Sequence, residues 1–333
     1  MALTATGCKN NINNRMKVLV FGAGGQLGKA FHALLSARKD LDVKYVGRAE
    51  CDLTNPLAIT QILEQSHAQL IINAAAYTAV DKAETESDLA YAVNAKAPEL
   101  MARYAVENDA TFLHYSTDYV FDGSKQGFYV ESDIRNPLGN YGKSKAAGEE
   151  AIEKVFEKAF ASSSKGQFAI FRTSWVYGDG GNFIRTMLRL AKEREELKVI
   201  HDQHGVPTSA EWLAQTSLSL ALDSEFKLRQ FPSGIYHAVA AGETTWHGLA
   251  CFAIQAAIDA GIDLKAKPQA IKPILAVEYP LPAPRPMNSR MDTKKLQEQL
   301  NLSGGMSKLG LFQSPWTIYV QEYVRGLAKK DLI

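Results

Sequence analysis

Tyr141 and Lys145 lie four positions apart directly after NPLGN, a stretch rich in turn-forming residues at which the sequence predicts the start of a helix. Side chains four positions apart share one face of a helix, so the phenol and the ammonium are expected to be neighbours. A nearby positive charge stabilises a phenolate, and we therefore expect Lys145 to lower the tyrosine pKa from its ordinary value of about 10. The pair is a candidate proton donor with its activator, although a tyrosine and a lysine on an exposed helix would share this spacing.

A hydroxyl precedes this pair at the end of the apolar run TFLHYST, residues 111–117. The run predicts a buried strand, and open α/β sheets bind their ligands at the carboxyl ends of such strands. Thr117 is thus expected to donate a hydrogen bond to a carbonyl oxygen while Tyr141 protonates that oxygen. A hydroxyl, a tyrosine and a lysine in this order resemble the catalytic triad of the short-chain dehydrogenase/reductase superfamily.

A glycine pattern near the N-terminus indicates where a cofactor would bind. Gly22, Gly25 and Gly28 follow the apolar run 16–21 and open the helical pattern KAFHALLSAR. Glycines in this context permit a tight turn whose N–H groups reach a pyrophosphate at the positive end of a helix. We interpret the pattern as a dinucleotide site, and glycines that serve only close packing are the alternative.

The choice of cofactor depends on the end of the second strand, at Gly47 and Arg48. A protein that prefers NAD usually presents an acidic residue to the ribose at this point. Arg48 can instead pair with the 2′-phosphate of NADP, so the sequence favours NADPH, with NADH as the alternative reductant. Glu50 is close enough in sequence to reach a ribose, which keeps that alternative open.

Short apolar runs alternate with helical patterns and must position these groups. The runs lie at residues 16–21, 43–47, 69–77, 111–117 and 168–178. Such alternation predicts an α/β fold with a Rossmann-type doubly wound parallel sheet. Later patterns predict a proline-rich loop over 278–290, a strand at 235–240 and helices at 183–195, 210–222 and 245–259.

These elements divide the chain into two lobes. Residues 1–15 are polar and are expected to form a disordered leader. We expect a dinucleotide-binding domain of residues 16–174 plus about 207–240. A smaller C-terminal α/β substrate lobe would take about 175–206 plus 241–333.

Composition excludes several classes of protein. The 333 residues are 46% hydrophobic and 22% charged, as in an ordinary soluble globular chain. The formal net charge of +1 gives no reason to expect nucleic acid or a membrane surface as partner. Three cysteines without a CxxC pair predict neither a disulfide framework nor a zinc site, and they fit a cytoplasmic protein.

Several blocks together resemble the dTDP-4-dehydrorhamnose reductase family of extended short-chain reductases. The blocks are FGAGGQLG, INAAAYTAVDKAE, HYSTDYVFDG, NYGKSKAAGE, FRTSWVYG, DQHGVPT and PAPRPMNSR, and they run from residue 21 to 290. The leader, the SSSKGQ stretch at 162–167 and the segment after residue 303 depart from the family pattern.

The resemblance implies roles for individual residues. Cofactor contacts are implied for Gly25, Gln26 and Leu27 at the pyrophosphate, Asp52 and Leu53 at the adenosine, and Ala76, Tyr77, Thr78 and Tyr115 at the nicotinamide nucleotide. Substrate contacts are implied for Thr117, Asp118 and Trp175 at the sugar, and for Arg285 and Asn288 at the diphosphate. Tyr141 would be the acid and would touch both ligands, and Lys145 would be its partner and would contact the nicotinamide ribose.

The activity implied by the resemblance is NAD(P)H-dependent reduction of the C4 ketone of dTDP-4-dehydro-L-rhamnose to dTDP-L-rhamnose, a precursor of cell-surface polysaccharide. One alternative is an epimerase or dehydratase of the same superfamily that acts on another nucleotide sugar with tightly held NAD. Another is a non-catalytic subunit resembling the regulatory subunit of methionine adenosyltransferase. Some family members are homodimers, in certain cases with Mg²⁺ at the interface, and no residue cluster in this sequence argues for that metal.

Overall fold

The computed structural model describes residues 15–160, 164–302 and 314–333. Residues 1–14 of the expected leader, residues 162–163 of the SSSKGQ stretch and residues 303–313 lie outside these ranges. Within the described ranges, the helices include none that is long and apolar enough to cross a membrane.

The strands are short and spread along the whole chain. They are β1 (Met16–Phe21), β2 (Leu41–Val46), β3 (Leu70–Asn73), β4 (Thr111–Thr117), β5 (Gln167–Thr173), β6 (Val176–Tyr177), β7 (Leu197–Ile200), β8 (His204–Gly205), β9 (Thr208–Ser209), β10 (Gly234–His237), β11 (Thr244–Thr245) and β12 (Ile271–Ile274).

Helices connect most of these strands. They are α1 (Gln26–Leu35), α2 (Pro56–Ser66), α3 (Ser87–Tyr91), α4 (Ala97–Glu107), α5 (Asn140–Phe160), α6 (Phe183–Glu193), α7 (Ala210–Ala221), α8 (Trp246–Asp259), α9 (Lys294–Leu302) and α10 (Trp316–Lys329). A π-helical turn, Ala92–Lys96, joins α3 to α4.

Six strands form one sheet in the order β2-β1-β3-β4-β5-β10, and every neighbouring pair is parallel. β2 lies beside β1 at one edge of the sheet, and β3 lies on the opposite side of β1. The order therefore reverses between β1 and β3, which opens a crevice at their carboxyl ends. This sheet confirms the predicted Rossmann-type doubly wound fold.

Both faces of the sheet are covered. All positions of β3, β4 and β5 are buried, as expected for strands with helices on each side. Phe31 of α1 and Leu213 of α7 belong to the apolar core on one face, whereas Ile59 of α2 and Met101 of α4 belong to the core on the other.

The strand predicted at 168–178 is interrupted in the structure. β5 ends at Thr173, and Trp175 has a positive φ of 49° that no extended strand accommodates. The residues after the break form β6, which leaves the main sheet and pairs with β9. Trp175 thereby lies at the carboxyl edge of the sheet, where ligands of this fold bind.

The C-terminal part of the chain has an apolar core of its own. Leu188 of α6, Leu249 and Ile254 of α8, and Val320 of α10 are buried in it. Helix α9 departs from the expected division, because Leu296 and Leu300 pack into the core of the large sheet. The two-lobe division itself stays a prediction, with α9 better assigned to the dinucleotide-binding part.

Candidate active site

The glycine turn after β1 is shaped by close backbone contacts. Gly22 has a φ of 83°, and its N–H donates to the Val46 carbonyl at 2.9 Å. A Cβ atom at Gly22 would lie 2.6 Å from the backbone of Ala74. Only glycine therefore fits between β1 and the end of β3 at this point.

Gly28 serves packing rather than ligand contact. It is buried in α1, and a Cβ atom there would lie 2.1 Å from the Gly22 carbonyl oxygen. Gly28 does not line the nucleotide cleft, although the sequence pattern suggested it as a cofactor residue. Its missing side chain lets the helix approach the turn, which is the role of the third glycine in this motif.

A cleft of about 990 Å³ opens at the crevice between β1 and β3. Its walls contain the remaining residues proposed for the cofactor, namely Gly22, Gly25, Gln26, Leu27, Arg48, Asp52, Leu53, Ala76, Tyr77, Thr78, Tyr115, Tyr141 and Lys145. Asp179, Gly180 and Gly181 also line the cleft and were not predicted, although the glycine-rich stretch after β6 was a visible signal.

The cleft fits the diphosphate of a dinucleotide. No side chain caps the N-terminus of α1 and no acidic residue lies in its first turn, so its first N–H groups are available to an anion. A Cβ atom at Gly24 would meet nothing within 4 Å, which shows that the turn borders open space. The described residues contain no group of three His, Cys, Asp or Glu side chains able to hold a metal ion.

Arg48 follows β2 and lines the cleft, with the carboxylates of Glu50 and Asp52 close to it in the chain. The carboxylate of Glu50 folds back and accepts the N–H of Gly47 at 2.8 Å, so it is already occupied. Asp52 accepts two hydrogen bonds from Thr54, which lower the pKa of its carboxyl. Arg48 lines the cleft and forms no ion pair with any residue that the structure describes.

Tyr141 and Lys145 both lie on α5 and line this cleft, as predicted. Lys145 is 1% exposed, and its Nζ donates to the Tyr115 carbonyl at 2.6 Å and lies 3.3 Å from His114 Nε2. Burial lowers the pKa of Lys145 to about 8, against the opposing charge of Glu149. The amine therefore faces β4, one turn along the helix from the phenol.

The expected effect of Lys145 on the phenol was wrong for this arrangement. Burial raises the pKa of Tyr141 to about 12, a hydrogen bond with Thr117 lowers it only in part, and the charge of Asp118 raises it. Lys145 Nζ instead donates a hydrogen bond to the Tyr115 carbonyl of β4. Tyr119, which the sequence analysis did not single out, packs edge-on against the Tyr141 ring at 5.4 Å.

Thr117 and Asp118 form a buried hydrogen-bond chain beside the phenol. Thr117 Oγ1 donates to Asp118 Oδ1 at 2.9 Å, and Ser289 Oγ donates to Asp118 Oδ2 at 2.5 Å. Burial raises the pKa of Asp118 to about 6 despite these two bonds. Both carboxylate oxygens are thus engaged, and a direct contact of Asp118 with a sugar would have to replace one partner.

The other residues proposed for the substrate do not line the nucleotide cleft. Trp175 stacks on Trp246, with ring centroids 3.8 Å apart. Arg285 Nη2 pairs with Asp81 at 2.9 Å, across 204 positions of sequence. Asn288 donates to the carbonyls of two loop residues, 125 and 127, so its amide holds a loop in place. Their contacts with a sugar or a diphosphate stay predictions.

Comparison with known proteins gives a consistent result. The family model described as RmlD substrate binding domain matches residues 16–310. The chain is 42% identical over 302 residues to the dTDP-4-dehydrorhamnose reductase of Salmonella typhimurium, which covers 89% of this chain and 96% of that protein.

Solved structures agree with this assignment. The dTDP-4-dehydrorhamnose reductase of Clostridium acetobutylicum has a TM-score of 0.78 at 35% identity, over 94% of this chain and 99% of its own. The enzyme of Bacillus anthracis, solved in complex with NADP, has a TM-score of 0.74 at 31% identity, over 93% and 98% of the two chains. With its glycine turn, its helix-borne tyrosine and lysine and these relatives, the chain belongs to the dTDP-4-dehydrorhamnose reductase family of NADPH-dependent oxidoreductases.

Proposed function

We propose that this enzyme reduces the C4 ketone of dTDP-4-dehydro-L-rhamnose to the alcohol of dTDP-L-rhamnose, with Tyr141 as the proton donor. Bound NADPH would supply the hydride. The observation that carries the proposal is that Tyr141 and Lys145 line the same cleft as the glycine turn and the uncapped end of α1. The proposed proton donor and the proposed dinucleotide site therefore lie at one edge of the sheet.

The environment of Tyr141 suits it to hold a proton until the reaction needs one. Because burial raises its pKa to about 12, the phenol stays protonated at neutral pH. An alkoxide formed from a ketone is far more basic than a phenolate, so transfer from the phenol to that oxygen is favourable. We propose that Lys145 holds the cofactor ribose and offers its positive charge to the phenolate that remains.

The hydrogen bonds of Thr117 support a positioning role beside the polarisation of the ketone that the sequence suggested first. Its hydroxyl proton points to Asp118 Oδ1, and its oxygen accepts the Tyr119 N–H at 3.2 Å. We propose that Thr117 orients the phenol through their shared hydrogen bond. Direct polarisation of the ketone would require its hydroxyl to turn away from the buried carboxylate.

NADPH is the proposed reductant and the cytoplasm the proposed location. Arg48 supports the phosphorylated cofactor because it lies at the ribose end of the cleft, while the nearby carboxylate of Glu50 is bonded to the backbone. A nucleotide-sugar substrate and a reduced nicotinamide cofactor are both consistent with a cytoplasmic reaction.

The replacement Tyr141→Phe tests the proposed acid. Loss of a positioned proton donor is expected to reduce turnover by about 10²- to 10⁴-fold, while the apolar ring keeps the cleft intact. Turnover is followed as loss of NADPH absorbance with dTDP-4-dehydro-L-rhamnose, and NADPH binding is measured separately by calorimetry. Full turnover in this variant would remove Tyr141 from the mechanism.

A lysine pair on the same helix supplies the matched control. Lys145→Met should weaken NADPH binding and slow turnover, whereas Lys143→Met, at an exposed position two residues away, should change neither. The wild-type assay also separates the alternatives. A regulatory subunit, or an epimerase that retains NAD, would give no stoichiometric loss of NADPH.

A further inference from the structure

His114 lies behind the proposed catalytic lysine and has no part in the mechanism above. It belongs to the buried strand β4 and is 0% exposed. Its Nδ1 is 3.1 Å from the amide nitrogen of Asn73, and its Nε2 is 3.3 Å from Lys145 Nζ. The imidazole therefore lies between Asn73 at the end of β3 and Lys145 of α5.

The orientation of the Asn73 amide indicates which ring nitrogen of His114 carries the proton. Asn73 Oδ1 accepts the backbone N–H of Ala75 at 3.2 Å, so the amide nitrogen, which only donates, faces His114. A lone pair on Nδ1 of His114 is then the favoured partner of this amide nitrogen. In a neutral imidazole the single proton consequently lies on Nε2, which points to Lys145.

An N–H on this side suits only one form of Lys145. An ammonium group has three donors and no lone pair, whereas a neutral amine can accept the proton of Nε2–H. Burial, with a further contribution from Lys145, holds the pKa of His114 well below its ordinary value, so the ring is neutral. With Nδ1–H instead, the ring could accept from an ammonium but would oppose the amide N–H of Asn73.

Three other groups lie near Lys145 and could affect its charge. The Tyr115 carbonyl accepts a hydrogen bond from either form of the amine, so it does not select between them. Glu149 lies one turn along α5 and raises the pKa of Lys145, but it is paired with Arg172 and Arg135. Tyr141, the remaining titratable group of this helix face, stays neutral near pH 8.

We propose that His114 is a positioning residue that sets the charge of Lys145. Because Asn73 keeps the proton of His114 on Nε2, the imidazole presents an N–H to Lys145, where an ammonium group would need a lone pair. This arrangement favours the neutral amine of Lys145. When Lys145 takes up a proton from solvent, His114 changes from the Nε2–H to the Nδ1–H tautomer without change of net charge. The inference rests on the proposed function only for its kinetic consequence, since the charge of Lys145 can be measured without turnover.

The direct test uses the unmodified protein without added nucleotide. Long-range ¹H–¹⁵N spectra report the tautomer of each of the seven histidines, and ¹³Cε shifts report the charge of each lysine. His114 is expected as Nε2–H above the Lys145 midpoint near pH 8 and as Nδ1–H below it, with one shared midpoint. A single His114 tautomer across the Lys145 transition, or a charged imidazole in that range, would overturn the proposal.

The variant His114→Phe adds a second readout. Without the opposing N–H, the pKa of Lys145 should rise by about one pH unit, the scale of a single hydrogen bond. The alkaline limb of kcat/KM for NADPH should move upward by the same amount. His201→Phe, at an exposed position, should leave the limb in place. A His114→Phe enzyme that loses activity with an unmoved alkaline limb would assign His114 a purely structural role and contradict the proposal.

If the NMR result is as expected but Tyr141→Phe retains full turnover, the charge-setting role of His114 stands and the proposed reduction mechanism fails. If the His114 tautomer does not change while Tyr141→Phe loses turnover, the role of Tyr141 as proton donor stands and the charge-setting role of His114 fails. The two ideas are therefore tested separately.

Discussion

Replacement of Glu149 by glutamine removes the charge from a buried carboxylate that two arginines share. Glu149 Oε2 accepts from Arg172 Nη2 at 2.7 Å and from Arg135 Nε at 2.6 Å, and Oε1 accepts from Arg172 Nε at 3.0 Å. Burial raises the carboxyl pKa, but the two guanidinium groups overcome this effect and hold the pKa below its usual value. Glutamine keeps the size of the side chain and leaves Arg172 buried without a counter-charge.

The expected magnitude follows from burial. Arg172 is 1% exposed and Glu149 is 0% exposed, and loss of one partner from a buried ion pair costs about 3–5 kcal/mol. A chain of 333 residues has an unfolding entropy of about 0.7 kcal/mol/K. Glu149→Gln should therefore lower the Tm by about 4–7 °C, provided that the protein unfolds as one cooperative unit.

The assay is differential scanning calorimetry at pH 7, with Glu150→Gln as the control. Glu150 lies next to Glu149 on α5 but is exposed, and its oxygen is 3.6 Å from Lys154 Nζ. An exposed pair of this kind contributes about 0.5 kcal/mol, so the control should lose less than about 1 °C. Equal Tm values for the two variants would refute the claim that this buried carboxylate stabilises the fold.

Two further predictions concern the turn and the buried aspartate. Gly22→Ala should weaken NADPH binding at least about tenfold, because a side chain at φ 83° is strained and its Cβ would lie 2.6 Å from the Ala74 backbone. In the same calorimetric titration Gly24→Ala should stay within about twofold of wild type, and equal losses in the two variants would contradict this reading of the turn. The pKa of Asp118 is raised to about 6, so its contribution to stability is complete below about pH 4 and is lost as the pH rises through about 6. The asparagine in Asp118→Asn stays neutral, so its Tm should not show the decrease between pH 4 and 7 that Asp118 causes in the wild type. If the Tm of the variant falls with pH as steeply as that of the wild type, another group is responsible.

Local patterns allowed much of the fold to be predicted. The strand at 16–21 and the helix near 246–259 were predicted almost to the residue, because an apolar run or a helical period is a property of neighbouring residues. The break at Trp175 was not predicted, since a positive φ is contrary to the local preference of a tryptophan and its stacking partner, Trp246, lies far along the chain. The packing of α9 against the large sheet likewise depends on contacts far apart in the chain.

The site divides in the same way. The shared face of Tyr141 and Lys145 follows from helix geometry, and the glycine turn follows from its place between a strand and a helix. The direction of the Lys145 amine could not be read from sequence, because it is set by His114 and Tyr115 on another element. The sign of the Tyr141 pKa shift was missed because burial, which depends on the packing of distant residues, is the largest influence on this pKa.

The contacts of the proline-rich segment have a consequence for the order in which the enzyme is completed on the ribosome. Arg285 meets Asp81 across 204 positions, and Ser289 meets Asp118 across 171 positions. Chains are synthesised from the N-terminus, at about 5–20 residues per second, and such long-range contacts form only after both partners have emerged. The glycine turn, Tyr141 and Lys145 therefore leave the exit tunnel seconds before Arg285 and Ser289. A nascent chain at that stage carries the residues proposed for the nucleotide and for proton transfer, but not yet the partners of Asp81 and Asp118.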